Sequence, residues 1–145
     1  RPDGAPPRLD TTPVERRLIS SGSPYEPVVG FSRAVVADGH VFVSGTAPIM
    51  PGDAEPPADA YEQARRCFEI ISTALAEAGA SPRDVVRTRM YLVRAEDVEE
   101  VTRAHAELFA DVRPAATGVV VAALFDPRWL VEIEVDALLP ENTEG

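Results

Sequence analysis

The chain has 145 residues, of which 45% are apolar and 26% are charged, a composition that supports one globular domain with its own core. Fourteen basic residues against twenty-four acidic ones give a net charge of −10, which disfavours nucleic acid and anionic membranes as partners. All fourteen basic residues are arginine, so mechanisms that need a lysine are excluded. One cysteine and two histidines are too few for a Cys/His zinc site and allow no internal disulfide.

The distribution of apolar residues predicts a protein that neither spans a membrane nor is exported. No apolar run reaches the length of a membrane span, and the first sixteen residues carry charges and prolines where a signal peptide needs an apolar stretch. The cysteine usage suits a reducing, cytoplasmic location. We predict an irregular N-terminal arm over residues 1–16, a single domain over 17–140 and a short tail over 141–145.

The first third of the domain is predicted to hold short strands. A strand over 17–21 is followed by a loop rich in Gly and Pro. Two β-branched and aromatic runs, 32–37 and 40–44, flank Asp38-Gly39, a pair that tolerates the positive φ angles of a tight turn. This pattern predicts a β-hairpin.

Helical and strand periodicities then alternate to the end of the chain. Asp59 caps a predicted helix that Gly79 ends, and a second helix covers 97–110. The apolar positions of the two helices are Ala64, Phe68, Ile71 and Leu75 in the first and Val98, Val101, His105 and Leu108 in the second. Between them, 85–93 alternates as a strand with Val86, Thr88, Met90 and Leu92 on one face and Arg87, Arg89 and Tyr91 on the other. Two more strands, 117–124 and 129–138, complete the order.

This order predicts an α+β fold, in which a mixed β-sheet has two helices packed on one face. Val119, Val120 and Val121 place apolar side chains on both faces of their strand, so the helix-free face also needs a cover. A second copy of the chain is the simplest cover, and we therefore expect a closed homo-oligomer.

Three segments resemble the Rid family, also called YjgF/YER057c/UK114. They are GFSRAVVADGHVFVSGTAP, VVRTRMYLV and RPAATGVVVAALFDPRWLVEIEVDAL, and the resemblance covers about residues 17–138. It implies a chorismate-mutase-like fold assembled as a homotrimer, with ligand clefts between subunits. It also implies a small metabolite as the ligand and no cofactor or metal. The best-known members hydrolyse enamine or imine intermediates of amino acids, whereas others are described as endoribonucleases or translation inhibitors.

The resemblance assigns several residues to the cleft. Glu132, the first acid of V-E-I-E, stands where the family positions the attacking water and is the expected catalytic residue. Ser44 and Gly45 of the V-S-G strand line the cleft, together with Thr117. Without the resemblance, alternation along the strand would predict Glu132, Glu134 and Asp136 only as a solvated polar face.

Other positions depart from the pattern of the active deaminases. Ala116 stands where those members have an arginine that binds the substrate carboxylate, and Gly118 replaces a frequent cysteine. Phe31 lacks the hydroxyl of the family's tyrosine, and Thr102 aligns with a frequent asparagine. A guanidinium–carboxylate pair contributes about 1.5–3 kcal/mol, so a carboxylated imine should bind weakly.

Two alternatives follow from the missing arginine. The substrate has no carboxylate, or another arginine reaches the cleft, with Arg89, Arg33 and Arg113 as candidates.

His105 is either a hydrogen-bonded core histidine or a polar group in the cleft. We expect substrate binding by Phe31, Ser44, Gly45, Arg89, His105, Ala116 and Thr117.

The function that this sequence favours is cofactor-free imine or enamine hydrolysis on an atypical substrate. A non-catalytic, metabolite-binding trimer is the alternative, because Ala116 and Phe31 remove groups that active members use. RNA cleavage is disfavoured because two arginines near Tyr91 form a weak basic footprint in a chain of net charge −10.

Overall fold

The structure, a computed structural model, describes Gly4 and residues 13–141. It contains six strands and two long helices. They are β1 (Arg16–Ile19), β2 (Ala34–Ala37), β3 (His40–Thr46), α1 (Ala60–Ala78), β4 (Val85–Leu92), α2 (Val98–Phe109), β5 (Ala115–Val120) and β6 (Val131–Leu138). A five-residue π-helix covers Glu26–Gly30, and single 3₁₀ turns cover Pro51–Asp53, Pro82–Asp84 and Ala95–Asp97. Most of the predicted arm and tail lies outside the described residues.

The strands form one mixed sheet in the order β1-β2-β3-β6-β4-β5. Only β4 and β5 run parallel, because α2 connects them as a crossover, and all other neighbours are antiparallel. Both helices pack on the same face of the sheet, and the core between them is apolar. The predicted α+β class with two helices on one face is confirmed.

Local signals set the element boundaries as expected. The Asp59 side chain accepts a hydrogen bond from the Glu62 N–H at 3.3 Å, and Gly79 ends α1 in the left-handed region at φ 93°. Asp38 and Gly39 both have positive φ, 50° and 75°, as a two-residue hairpin turn requires.

Two parts of the sequence interpretation were wrong in detail. The β4–β6 register shifts between Val85 and Arg87, so Val85 is buried and Val86 is 44% exposed, the reverse of uninterrupted alternation. The strand predicted over 117–124 instead covers Ala115–Val120. It begins earlier because the chain turns at Arg113, which has a positive φ of 55°.

Candidate functional site

A carboxylate and a glycine meet where β3 and β6 lie side by side. Val131, Ile133 and Val135 of β6 are fully buried under the helices, so the intervening Glu132 faces the helix-free side, where it is half-buried. The β3–β6 register shifts between Val43 and Thr46, which places Ser44 and Gly45 in a bulge. A Cβ atom on Gly45 would overlap the Glu132 carboxylate oxygen Oε2. Only glycine at this position allows so close an approach.

Arg33 completes this polar cluster from the neighbouring strand. Its main-chain N–H donates to the Ile19 carbonyl at 2.8 Å, and its carbonyl accepts from the Ser44 N–H at 3.0 Å. Its Nη2 atom donates to the Gly45 carbonyl at 2.6 Å, whereas its buried Nε has no hydrogen-bond partner. We call Arg33, Ser44, Gly45 and Glu132 the polar site.

The polar site holds a carboxylate and a guanidinium that are both partly desolvated and that influence each other's pKa. Burial raises the pKa of Glu132 above its usual range, the Arg33 guanidinium opposes the rise, and Glu134 adds to it. Burial likewise lowers the pKa of Arg33, with Glu132 opposing that change. A carboxyl whose pKa is raised toward neutrality is suited to accept and return a proton.

Arg89 lies on the helix-free face of β4, within ion-pair distance of carboxylates other than Glu132. Its Nη1 atom is 3.6 Å from Asp136 and 3.9 Å from Glu134, and the Tyr91 hydroxyl donates a hydrogen bond to Glu134. The structure therefore brings Arg89 to Glu134 and Asp136 and does not bring it to Glu132.

His105 lies on the helix side of the sheet. Its Nε2 atom and the Thr88 Oγ1 atom are hydrogen-bonded at 2.8 Å, and its ring packs against Phe68 and Phe109 with centroid separations of 6.0 and 4.8 Å. Burial lowers the pKa of His105. These contacts are those of a hydrogen-bonded core histidine, and within one protomer His105 does not face Glu132.

The β5 residues lie at the edge of the sheet. Ala116, Thr117 and Gly118 pair with Thr88, Arg89 and Met90 of β4, and all six residues of β5 are exposed. Because β4 separates β5 from β6, these backbones lie roughly 10 Å apart. One protomer does not bring Ala116 or Thr117 to Glu132. Ala116 and Gly118 instead line a cavity of about 360 Å³ between β5 and α2, which we call the edge pocket.

Phe31 lies directly after the π-helix, two residues before Arg33, and is 37% exposed. Its N–H donates to the Glu26 carbonyl at 3.0 Å. Tyr25, Val28 and Val29 on the preceding turn are also exposed. This segment presents apolar side chains to solvent a few residues before Arg33 in the chain.

Arg33 is a site residue that the sequence named only as one of three candidate replacements for the missing arginine. The register of the β2–β3 hairpin predicts where Arg33 lies. A two-residue turn at Asp38-Gly39 pairs Ala37 with His40, and the same count pairs position 33 with position 44. The counting places Arg33 beside Ser44, as the main-chain hydrogen bond shows.

Two further features bear on ligands and location. Within residues 13–141, no group of three or more His, Cys, Asp and Glu side chains is arranged to hold a metal ion. In the same range, no helix is both long and apolar enough to cross a membrane.

The fold and this site define a small α+β protein with helices on one face of a mixed sheet and a carboxylate–guanidinium site on the other. A sequence model of the family described as Endoribonuclease L-PSP matches residues 22–139. The chain belongs to this family, to which the Rid resemblance pointed.

Similar proteins support the same assignment. An uncharacterized protein of Streptomyces coelicolor is 43% identical over 121 residues, which is 83% of this chain and 90% of that protein. The 3-aminoacrylate deaminase RutC of Acinetobacter baylyi is 33% identical over 80% of this chain and 91% of its own. The crystal structure of Rv2704 from Mycobacterium tuberculosis, a YjgF/YER057c/UK114 family member, has a TM-score of 0.79 at 41% identity. The structural match covers 86% of this chain and 100% of the M. tuberculosis chain.

Proposed function

We propose that this chain is a cofactor-free hydrolase of imines or enamines, acting on a small metabolite bound between copies of a homotrimer. The observation that carries the proposal is the half-buried Glu132 carboxylate, which lies against Gly45 and beside the Arg33 guanidinium. The A. baylyi relative, named as a 3-aminoacrylate deaminase, supports the same reaction class.

The proposed reaction adds water across the C=N bond. The Glu132 carboxylate holds a water molecule and takes one of its protons while the oxygen bonds to the imine carbon. Glu132 passes that proton to the nitrogen, which gives a carbinolamine. The carboxylate then moves the hydroxyl proton to the nitrogen, so that the C–N bond breaks with ammonia as the leaving group and the carbonyl forms. An enamine enters the same sequence once protonation at its carbon has given the imine. Main-chain N–H groups near Gly45 or Thr117 stabilise the charge that develops. The raised pKa of Glu132 suits it to return the proton.

The trimer is part of the proposal because one protomer contains only portions of the predicted cleft. The polar site lies on the helix-free face, whereas Ala116 and Thr117 lie on the edge strand two strands away. Apolar side chains on that strand are open to solvent, with Val119 at 45% and Val120 at 53% exposed. A partner copy that covers β5 would bury this surface and bring the two portions together.

One observation favours the alternative of a trimer that binds its metabolite without chemistry. Ala116 provides no charge with which to hold a carboxylated substrate. RNA cleavage, which the family description mentions, is less consistent with the net charge of −10 and with an Arg89 engaged by two carboxylates. The cytoplasmic location remains a prediction.

The test is ammonia release from freshly generated imines, with and without a carboxylate, by the wild-type protein and Glu132→Gln. Loss of a general acid–base group should lower kcat/KM by roughly 10²–10⁴-fold. Asp136→Asn is the matched control, because Asp136 is a half-buried carboxylate on the same face of the same strand. Equal activity of wild type and Glu132→Gln would refute the assignment. A monomeric mass by light scattering would refute the intersubunit cleft.

A further inference from the structure

The edge pocket is an apolar cavity lined by small residues of β5 and by side chains of the packed core. Its volume is about 360 Å³. Met90, Leu92 and Val101, which line it, are all at least 95% buried, so they belong to the packed core. On the β5 side the lining residues are Ala116, Gly118, Val119 and Val120, and the two valines also belong to the surface that a partner copy would cover in the proposed trimer. A Cβ on Gly118 would meet only the Met90 carbonyl, at 4.0 Å, so the space beside it is open.

The lining offers a ligand almost no polar partner. No charged side chain lines the pocket, and its one hydroxyl belongs to Thr102. That hydroxyl donates to the Val98 carbonyl at 2.8 Å and also lies 3.2 Å from the Glu99 carbonyl, so its proton is already committed to α2. A charged or strongly polar group placed here would lose its hydration without compensation, whereas an alkyl or aryl group would gain.

Two arginines that could replace the missing one, Arg33 and Arg89, have polar partners within the protomer. Arg33 donates to the Gly45 carbonyl, and Arg89 Nη1 lies 3.6 Å from Asp136 and 3.9 Å from Glu134. Because Arg89 already lies beside two carboxylates, a third carboxylate would gain little net attraction from it. Among residues 13–141, no arginine lines the edge pocket, so none replaces there the side chain missing at Ala116.

We propose that the edge pocket binds the uncharged, apolar substituent of the substrate, so that the preferred substrates are uncarboxylated imines or enamines with a small alkyl or aryl group. The volume lies near the lower end of the roughly 300–1,000 Å³ of small-molecule sites. An apolar cavity of about 150 Å³ already accepts benzene, so a phenyl or branched alkyl group fits. This inference rests on the proposed hydrolase function for the reaction. It also rests on the proposed trimer to bring the edge pocket of one copy to Glu132 of another, because one protomer does not bring Ala116 to Glu132. Binding of a probe in the pocket depends on neither.

Binding is tested first with a probe that does not react. Benzyl alcohol is titrated into the protein while the Gly118 amide resonance is followed by NMR. Gly118→Val should fill the pocket, and Ala115→Val is the matched control, because the neighbouring residue of the same strand does not line it. We expect the probe to bind wild type and Ala115→Val equally and Gly118→Val at least about tenfold more weakly. If Gly118→Val does not fold, Ala116→Val is the second filling variant.

Turnover is tested on a series of imines generated from primary amines by a flavin amine oxidase. Each additional buried CH₂ group should raise kcat/KM about fourfold until the pocket is full. Gly118→Val should abolish this dependence on chain length, while Ala115→Val preserves it. Carboxylated imines of matched size should be poorer substrates than uncarboxylated ones.

The outcomes separate the two proposals. If kcat/KM for hydrolysis depends neither on substrate chain length nor on Gly118→Val, the pocket assignment is wrong, whereas the proposed hydrolase function is unaffected. Probe binding that Gly118→Val removes, with no imine hydrolysed, would support the pocket and refute the hydrolase. Failure of the probe to bind, together with dissociation of the oligomer by Gly118→Val, would show that a second copy of the chain occupies the pocket and would overturn the proposal.

Discussion

Gly45→Ala tests the polar site because it adds a single methyl group beside the Glu132 carboxylate. The new Cβ would overlap Glu132 Oε2 and lie 3.3 Å from Cδ, so the carboxylate must retreat by roughly 1 Å to reach ordinary contact distance. The Arg33 hydrogen bond to the Gly45 main-chain carbonyl does not depend on the added atom. The variant therefore displaces the carboxylate that we propose to be catalytic and leaves the Arg33 hydrogen bond in place.

The effect on activity should be large and the effect on stability small. A displacement of about 1 Å at a reacting centre costs up to roughly 10²-fold in rate. Gly45 does not have a positive φ, so alanine fits the backbone and removes freedom from the unfolded chain, a gain of about 0.4–1 kcal/mol that offsets the crowding. We expect kcat/KM for imine hydrolysis to fall about 10²-fold, with the free energy of unfolding changed by less than about 1 kcal/mol.

Two measurements check this reasoning. Ammonia release gives kcat/KM, and a ¹³C NMR titration of the Glu132 carboxyl reports its environment independently of turnover. A carboxylate pushed toward solvent loses part of its desolvation, so the pKa of Glu132 should move down toward the ordinary value of 4.5. Combining Gly45→Ala with Glu132→Gln should cause no further loss, because both changes act on one group. Unchanged kcat/KM together with an unchanged Glu132 pKa would refute the reasoning.

Two further predictions concern polar side chains packed on the helix side, the half-buried His105 and the buried Gln63. Burial lowers the pKa of His105 below its ordinary 6.5, so below about pH 6.5 the unfolded chain binds a proton that the folded chain does not. The free energy of unfolding should therefore fall on acidification through this range, and His105→Phe should flatten that dependence in denaturant titrations between pH 7.5 and 5. Gln63, which is 1% exposed, donates to the Pro57 and Arg128 carbonyls and accepts from the Leu130 N–H. Gln63→Leu leaves these groups unpaired and should cost about 3 kcal/mol or more in urea unfolding.

Each of these predictions has its own control. His40→Phe, at the exposed hairpin turn, controls for replacing an imidazole by a phenyl ring. Identical slopes for wild type and His105→Phe would contradict the role assigned to burial of His105. Glu69→Leu replaces an exposed residue of α1 and should change stability by less than about 0.5 kcal/mol. A Gln63→Leu protein as stable as Glu69→Leu would mean that the α1-to-loop hydrogen bonds contribute little.

Much of the fold could be predicted from the sequence because its signals act over a few residues. The Asp38-Gly39 turn, the Asp59 cap and the Gly79 stop each depend on local backbone preferences. Strict alternation in β6 likewise placed Glu132 on the face opposite the buried core. The β4 register shift escaped prediction because a bulge leaves no mark in the alternation of one strand; it is a relation between two strands.

The sequence by itself determined the α+β architecture, the face that carries Glu132 and the family, through periodicity, turn chemistry and motif order. Only the tertiary structure decided which groups meet. It placed Arg33 and Gly45 against Glu132 through the β3 bulge, directed His105 to Thr88, and opened the edge pocket where α2 passes β5. These contacts join segments that are distant in the chain, and their geometry follows from strand register and helix packing, which no local pattern encodes.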